Sequence, residues 1–202
     1  MRLRVGAILV TILAVAAAPT FAQSTVTGGV KIGVNFSKLT FSEEGDEDLT
    51  TDSRTGLVVG GFVDVPITEL FSFQPEVLYS QKGGKQEIPG LGESKVKIDM
   101  IQIPLLFKAS FAGTAVHPFV VACPAFGFVT SAKIEEPDVE DLDIKDDVAS
   151  VDVSGVIGAG LQFGRGIVEF RYDHGFTDLD DDEEDISEAK GKTWTILFGY
   201  GF

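Results

Sequence analysis

The sequence predicts an all-β protein, an eight-stranded antiparallel up-and-down transmembrane β-barrel. Three observations point there. Apolar and polar residues alternate in eight successive segments, as in strands with two unlike faces. The connections between these segments alternate between short and long, the pattern of membrane barrels. The 202-residue chain also combines a formal net charge of −15 with 44% hydrophobic residues and a mean hydropathy of +0.20. A disordered acidic chain would score hydrophilic, and a helical membrane protein would not carry 31 acidic residues. Apolar and acidic residues must therefore be segregated. The 23 Gly and 16 Phe against 2 Met favour strands and tight turns over helices. So acidic a chain is not expected to bind nucleic acid, which requires a surplus of Lys and Arg.

The first segment reads as an address. Arg2 and Arg4 precede an apolar stretch from Val5 to Ala18, and Pro19-Thr20-Phe21-Ala22 supplies small residues before a cleavage point at Gln23. This is the layout of a secretory signal peptide, and the stretch is short for a spanning helix, which needs ~20 apolar residues. Residues 1–22 are therefore expected to be a cleaved signal, and 23–202 the barrel domain. No Cys follows the apolar stretch, so no lipoprotein anchor is expected. Cys123 is the one cysteine, which leaves no intramolecular disulfide to staple an exported chain.

The strands follow in order. Val30, Ile32, Val34 and Phe36 alternate with Lys31, Gly33, Asn35 and Ser37. Leu57, Val59, Gly61, Val63 and Val65 form the second segment. Phe71, Phe73, Pro75, Val77 and Tyr79 alternate with Ser72, Gln74, Glu76 and Ser80. Ile101, Ile103, Leu105 and Phe107 alternate with Gln102, Pro104 and Lys108. Phe119 to Val129 is apolar at both parities, so its facing is open. Val153, Ile157, Ala159 and Leu161 alternate with Asp152, Ser154, Gly158, Gly160 and Gln162. Val168, Phe170 and Tyr172 alternate with Glu169, Arg171 and Asp173. Trp194, Ile196, Phe198, Tyr200 and Phe202 alternate with Thr193, Thr195, Gly199 and Gly201. Connections 66–70, 112–116 and 164–166 are short, while 40–54, 82–95, 133–149 and 178–191 are long. Pro75, Pro104 and Pro124 lie inside strands and cannot donate to a ladder, so bulges or strand ends are expected there.

A soluble sandwich would alternate too. The polar face here, however, carries full charges at mid-strand, and an eight-stranded barrel has an interior just wide enough for side chains to fill. Closure also removes the edges that lipid cannot tolerate. Lys31, Glu76, Lys108, Glu169, Arg171 and Asp173 form the candidate interior charge cluster. Such a set builds either a proton relay or substrate site, or a paired plug. The plug is the expectation, because buried charges are costly unless paired.

Phe198, Tyr200 and Phe202 close the last strand as alternating aromatics. They suit an interfacial girdle and resemble the signal read by the bacterial outer-membrane assembly machinery, the partner expected during biogenesis. Gly60 to Lys85, above all the run FSFQPEVLYSQKG from Phe71 to Gly83, resembles the PorT-like outer-membrane β-barrel family. Gly29–Phe36, Ile103–Leu106 and Gly158–Tyr172 match as well. The resemblance implies an integral outer-membrane barrel of about eight strands with the bilayer as its partner. It implies little about activity; the branch that gives the family its name takes part in protein secretion to the cell surface.

Most of the 31 acids crowd three long connections. Glu43, Glu44, Asp46, Glu47, Asp48 and Asp52 lie in the first. Glu135, Glu136, Asp138, Glu140, Asp141, Asp143, Asp146 and Asp147 lie in the third. Asp178, Asp180, Asp181, Asp182, Glu183, Glu184, Asp185 and Glu188 lie in the fourth. Solvated, self-repelling loops are the expectation, with weak divalent-cation binding as the alternative. The run from Asp178 fails as a calcium loop, because Glu183 stands where Gly is needed and Ala189 where the bidentate Glu is needed. A lipid-modifying barrel enzyme would need His with Ser and a carboxylate. His117 falls at a short turn, and His174 has Asp173 facing oppositely and no Ser two residues away. No nucleotide loop or metal-ligand cluster is present, so no cofactor is expected. The sequence therefore points to a non-enzymatic outer-membrane protein with a structural or surface-interaction role. Membership of a secretion apparatus and lipid modification stand as alternatives.

Overall fold

A computed structural model describes residues 25–42, 49–88, 92–113, 115–135, 142–145, 149–177 and 188–202. Eight long strands follow in order: β1 (Thr27–Ser42), β2 (Asp52–Pro66), β3 (Phe71–Ile88), β4 (Gly92–Ser110), β5 (His117–Glu135), β6 (Val151–Phe163), β7 (Gly166–Gly175) and β8 (Glu188–Gly201). Two-residue strands at Leu49–Thr50 and Leu142–Asp143 add to β1 and β5. Each long strand pairs antiparallel with the next, and β8 returns to β1, from Gly29↔Gly201 to Ser42↔Glu188. The sheet is a closed eight-stranded barrel, so the long strands leave no edge to lipid.

Alternation sets the faces. Val30, Ile32, Leu57, Val63, Val77, Phe107, Ile157, Phe170, Trp194 and Phe198 point outward and are exposed, whereas Lys31, Asn35, Gln74, Glu76, Gln102, Glu169, Arg171 and Thr195 are buried inside. This inverts a soluble protein. It is stable only where the outer face meets hydrocarbon, because exposing that much apolar area to water would oppose folding.

The facing left open by sequence is settled for β5. Phe119, Val121, Cys123 and Ala125 point inward, and Ala122, Pro124, Phe126 and Phe128 point outward. With them, Phe62, Leu106, Val156 and Ile167 form an apolar cluster inside the barrel. A smaller cluster holds Val58, Leu78 and Leu197, and a third holds Leu39, Ile98, Met100, Val129 and Ala132. The interior is thus polar layers stacked with apolar ones.

Two further expectations need correcting. The connection 82–95 is not a long loop: Lys82 pairs with Ile98 and the ladder continues to Ile88↔Gly92. Backbone pairing is indifferent to side-chain polarity, so a ladder can run on where apolar alternation has stopped. The prolines, likewise, bring neither bulges nor strand ends. Each interrupts one ladder for two residue pairs and leaves the register unchanged. Pro75 does so between Phe62↔Glu76 and Val65↔Phe73, Pro104 between Pro75↔Leu105 and Leu78↔Gln102, and Pro124 between Pro104↔Ala125 and Phe107↔Ala122. A missing donor costs hydrogen bonds on one side of a strand only. Register shifts occur elsewhere, at Ser53/Val58 and Asp99/Met100.

Candidate functional site

The sequence-selected charges meet inside the barrel, but at three levels. At mid-height Lys31 of β1, Glu76 of β3 and both Glu169 and Arg171 of β7 close a ring of alternating charge. Lys31 Nζ donates to Glu76 Oε1 and to Glu169 Oε2, both at 2.6 Å. Arg171 grips Glu76 with two donors at 2.7 and 2.8 Å and reaches Glu169 through Nε at 2.7 Å. Gln74 adds a further donor to Glu76 at 2.7 Å. Two cations face two carboxylates, so the ring is neutral. All four side chains are almost fully buried. Burial strengthens each charge-assisted bond but makes any unpaired member expensive. The planar guanidinium suits this place because its fork addresses both carboxylates at once.

Lys108 and Asp173 do not join the ring. Lys108 lies nearer the short turns, where it bonds Asp64 of β2 at 2.9 Å and reaches Gln162 of β6 at 3.3 Å. Its ammonium also sits 4.7 Å from the centre of the Phe119 ring, a cation–π contact. Asp173 lies towards the long connections, accepting from Lys82 at 2.9 Å and Gln102 at 2.6 Å, with Asp152 3.9 Å from the same lysine. Arg54 donates to the Lys82 carbonyl. Between these layers Asn35 bridges Ser80 and Thr195, each at 2.9 Å.

Sequence reasoning passed over Lys82, Asp64 and Asp152. Lys82 has the parity of Glu76 and could have been found had β3 been carried further. Asp64 and Asp152 have the right parity on their strands, but only barrel closure reveals which cation each meets. Two internal pockets, one beside Lys82 and one beside Arg171, are each about 20 Å³, room for about one water.

Phe198, Tyr200 and Phe202 stand in one outward row, all more than half exposed. The Phe202 N–H donates to the Gly28 carbonyl at 2.9 Å. His117 opens β5 and is exposed. His174 lies on the outer face, paired across the sheet with Gly155 and Lys192. Among the described residues neither histidine has a Ser or carboxylate bonded to it, and no three metal-ligating side chains converge. Of the acidic connections, Asp52, Glu135, Asp143 and Glu188 fall within the strands. Glu43, Glu44, Asp46, Glu47, Asp48, Glu136, Asp138, Glu140, Asp141, Asp146, Asp147 and the acids from Asp178 to Asp185 lie outside the described residues.

The outer membrane protein beta-barrel domain matches residues 21–181. The chain belongs to that family. Its place is the outer membrane, and the bilayer is its environment. No curated protein matches it in sequence. Among solved structures, Neisserial surface protein A is 8% identical, with 89% of this chain covering 100% of that one at a TM-score of 0.54, which supports the fold. Ail, the attachment invasion locus protein of Yersinia pestis, is 16% identical over 89% of this chain and 100% of its own, with a TM-score of 0.43. The outer membrane enzyme PagL is 15% identical over 82% and 98%, with a TM-score of 0.45. At those scores neither bears on what this barrel does.

Proposed function

We propose that this barrel is a non-enzymatic structural and surface-interaction protein of the outer membrane, presenting acidic connections at the cell surface. The neutral Lys31–Glu76–Arg171–Glu169 ring carries the reading. It fills the bore with mutually satisfied charges, and every charged side chain within the ring is paired. Placement of the long connections outside follows the rule that short turns face the periplasm. In this reading residues 1–22 are the export signal, and Phe198, Tyr200 and Phe202 are the strand read during assembly. Soluble-domain fusions to the long connections should be accessible to protease on intact cells; protection on intact cells with cleavage after lysis would reverse the orientation.

A second reading, a component of a secretion or surface-assembly apparatus, rests on the PorT-like run from Phe71 to Gly83. Its test is deletion of the gene followed by an assay for export of surface proteins. Unchanged export sinks it. Lipid modification would have to use His174, whose cross-strand neighbours Gly155 and Lys192 offer no nucleophile–base pair. Altered lipid A in cells carrying His174→Ala would revive it.

A further inference from the structure

Three neighbouring strands change from apolar to basic at the same height on the outer face. On β1 the outward residues Val30, Ile32, Val34 and Phe36 end at Lys38. On β8 Tyr200, Phe198, Ile196 and Trp194 end at Lys192. On β7 Val168, Phe170 and Tyr172 end at His174. These ends are direct partners: Lys38 pairs with Lys192, and Lys192 with His174. Strands lie about 4.8 Å apart, so the three bases form one short ledge. Directly beneath it Trp194 packs on Tyr172 and Phe170, with ring centres 4.5 and 5.1 Å apart. Such an aromatic cluster marks a membrane interface.

The height agrees. Lys192 stands ten residues before Phe202. At about 3.3 Å per residue and about 40° of tilt, that is about 25 Å along the membrane normal, the height of the apolar band. In the orientation proposed above, on which this inference rests, the ledge meets the headgroups of the outer leaflet. Among the described residues neither Lys38 nor Lys192 has a carboxylate partner, although the chain as a whole carries −15. Nδ1 of His174 is covered and unpartnered. Beside His174, small residues at Ala122 and Gly155 open a groove of about 500 Å³ on the outer wall, bounded by Ile157, Tyr172 and Phe176. The groove is shallow and opens sideways to the lipid.

We propose that Lys38, Lys192 and His174 seat the phosphate of an anionic outer-leaflet lipid whose acyl chain lies in the groove over Gly155. Charge complementarity selects the headgroup, and the apolar groove selects a lipid over a free ion. Native mass spectrometry of the protein released from detergent, with phosphatidic acid and phosphatidylcholine offered together, tests this. Wild type should retain phosphatidic acid at least ~tenfold better, because its uncapped phosphomonoester offers more charge and more acceptor oxygens than the choline-capped phosphodiester. K38Q/K192Q should lose that preference while still migrating as a folded barrel on unheated gels. Gly155→Leu, whose Cβ would meet the end of the Phe176 ring at 2.9 Å, should cut retention several-fold with the charges intact. Equal retention of the two lipids by wild type overturns the proposal, as does an unchanged preference in K38Q/K192Q. Unchanged retention in Gly155→Leu removes the acyl seat. Displacement by millimolar inorganic phosphate would mark a simple anion site and overturn the lipid assignment.

Discussion

Replacing Arg171 with Met should be among the most damaging single changes in the barrel wall. The substitution keeps the length and apolar stem of the side chain but removes three donors, two to Glu76 and one to Glu169. Lys31 is then left between two buried carboxylates, and the ring carries a net negative charge. Breaking a buried pair by removing one partner costs about 3–5 kcal/mol. With a urea dependence of about 2 kcal/mol per molar, the unfolding midpoint should fall by about 2 M. The single tryptophan, Trp194, sits on the lipid face against Phe170 and Tyr172, so its emission reports the transition in vesicles. R171M/E169Q restores neutrality, with Lys31 still paired to Glu76 at 2.6 Å. It should recover much of the loss, giving a coupling energy above about 1 kcal/mol in a double-mutant cycle. If R171M shifts the midpoint by less than about 0.5 M, or if E169Q adds its full cost on top, the ring does not act as a unit. The bore is then not held by a paired plug.

Other outcomes follow from the same geometry. In planar bilayers the wild-type protein should show no steady porin-like conductance, and the ring truncation K31A/R171A should raise ion leakage; open steps in the wild type would refute the filled bore. Trp194 should be quenched by brominated acyl chains and not by aqueous iodide, since it is 47% exposed on the outer wall; the reverse pattern would move it out of the membrane. Cys123 faces inward between Leu106 and Val156, so a maleimide should label it only after heat denaturation. At Gly83, where φ is +136° and an added Cβ would lie 2.0 Å from the Val96 carbonyl, alanine should lower the unfolding midpoint through a loss of at least ~1 kcal/mol.

The eight strands were legible because the membrane imposes two unlike solvents on alternate residues, and β1, β7 and β8 show this over most of their length, with Leu39, Ile167 and Leu197 as their apolar inward residues. β5 was not legible, because its inward face is also apolar: Phe119, Val121 and Cys123 pack against the far wall and erase the alternation. The upper hairpin of β3 and β4 was missed for the opposite reason, since Lys82 to Glu87 is polar or Gly at both parities while its backbone pairs from Lys82↔Ile98 to Ile88↔Gly92. Within the site, Lys31, Glu76, Glu169 and Arg171 could be named from parity and charge. That Lys108 and Asp173 belong to other layers follows from the stagger of a closed barrel, which no single strand's pattern contains.

The two basic populations of this barrel obey different physics, and the difference separates architecture from interaction. Lys31, Lys82, Lys108 and Arg171 point inward, and each is matched to a carboxylate within hydrogen-bonding reach. Unpaired, they could not have been buried at all. Lys38 and Lys192 stand outward at the top of the apolar band with no such match among the described residues. A lysine there can lay its stem along the wall and lift its ammonium to the headgroups, so folding does not demand a protein partner for it. Nothing in barrel closure requires three such bases in one register row, above an aromatic cluster and beside a groove. That arrangement is where the wall departs from what stability alone would select, and where a lipid with a matching phosphate would be recognised.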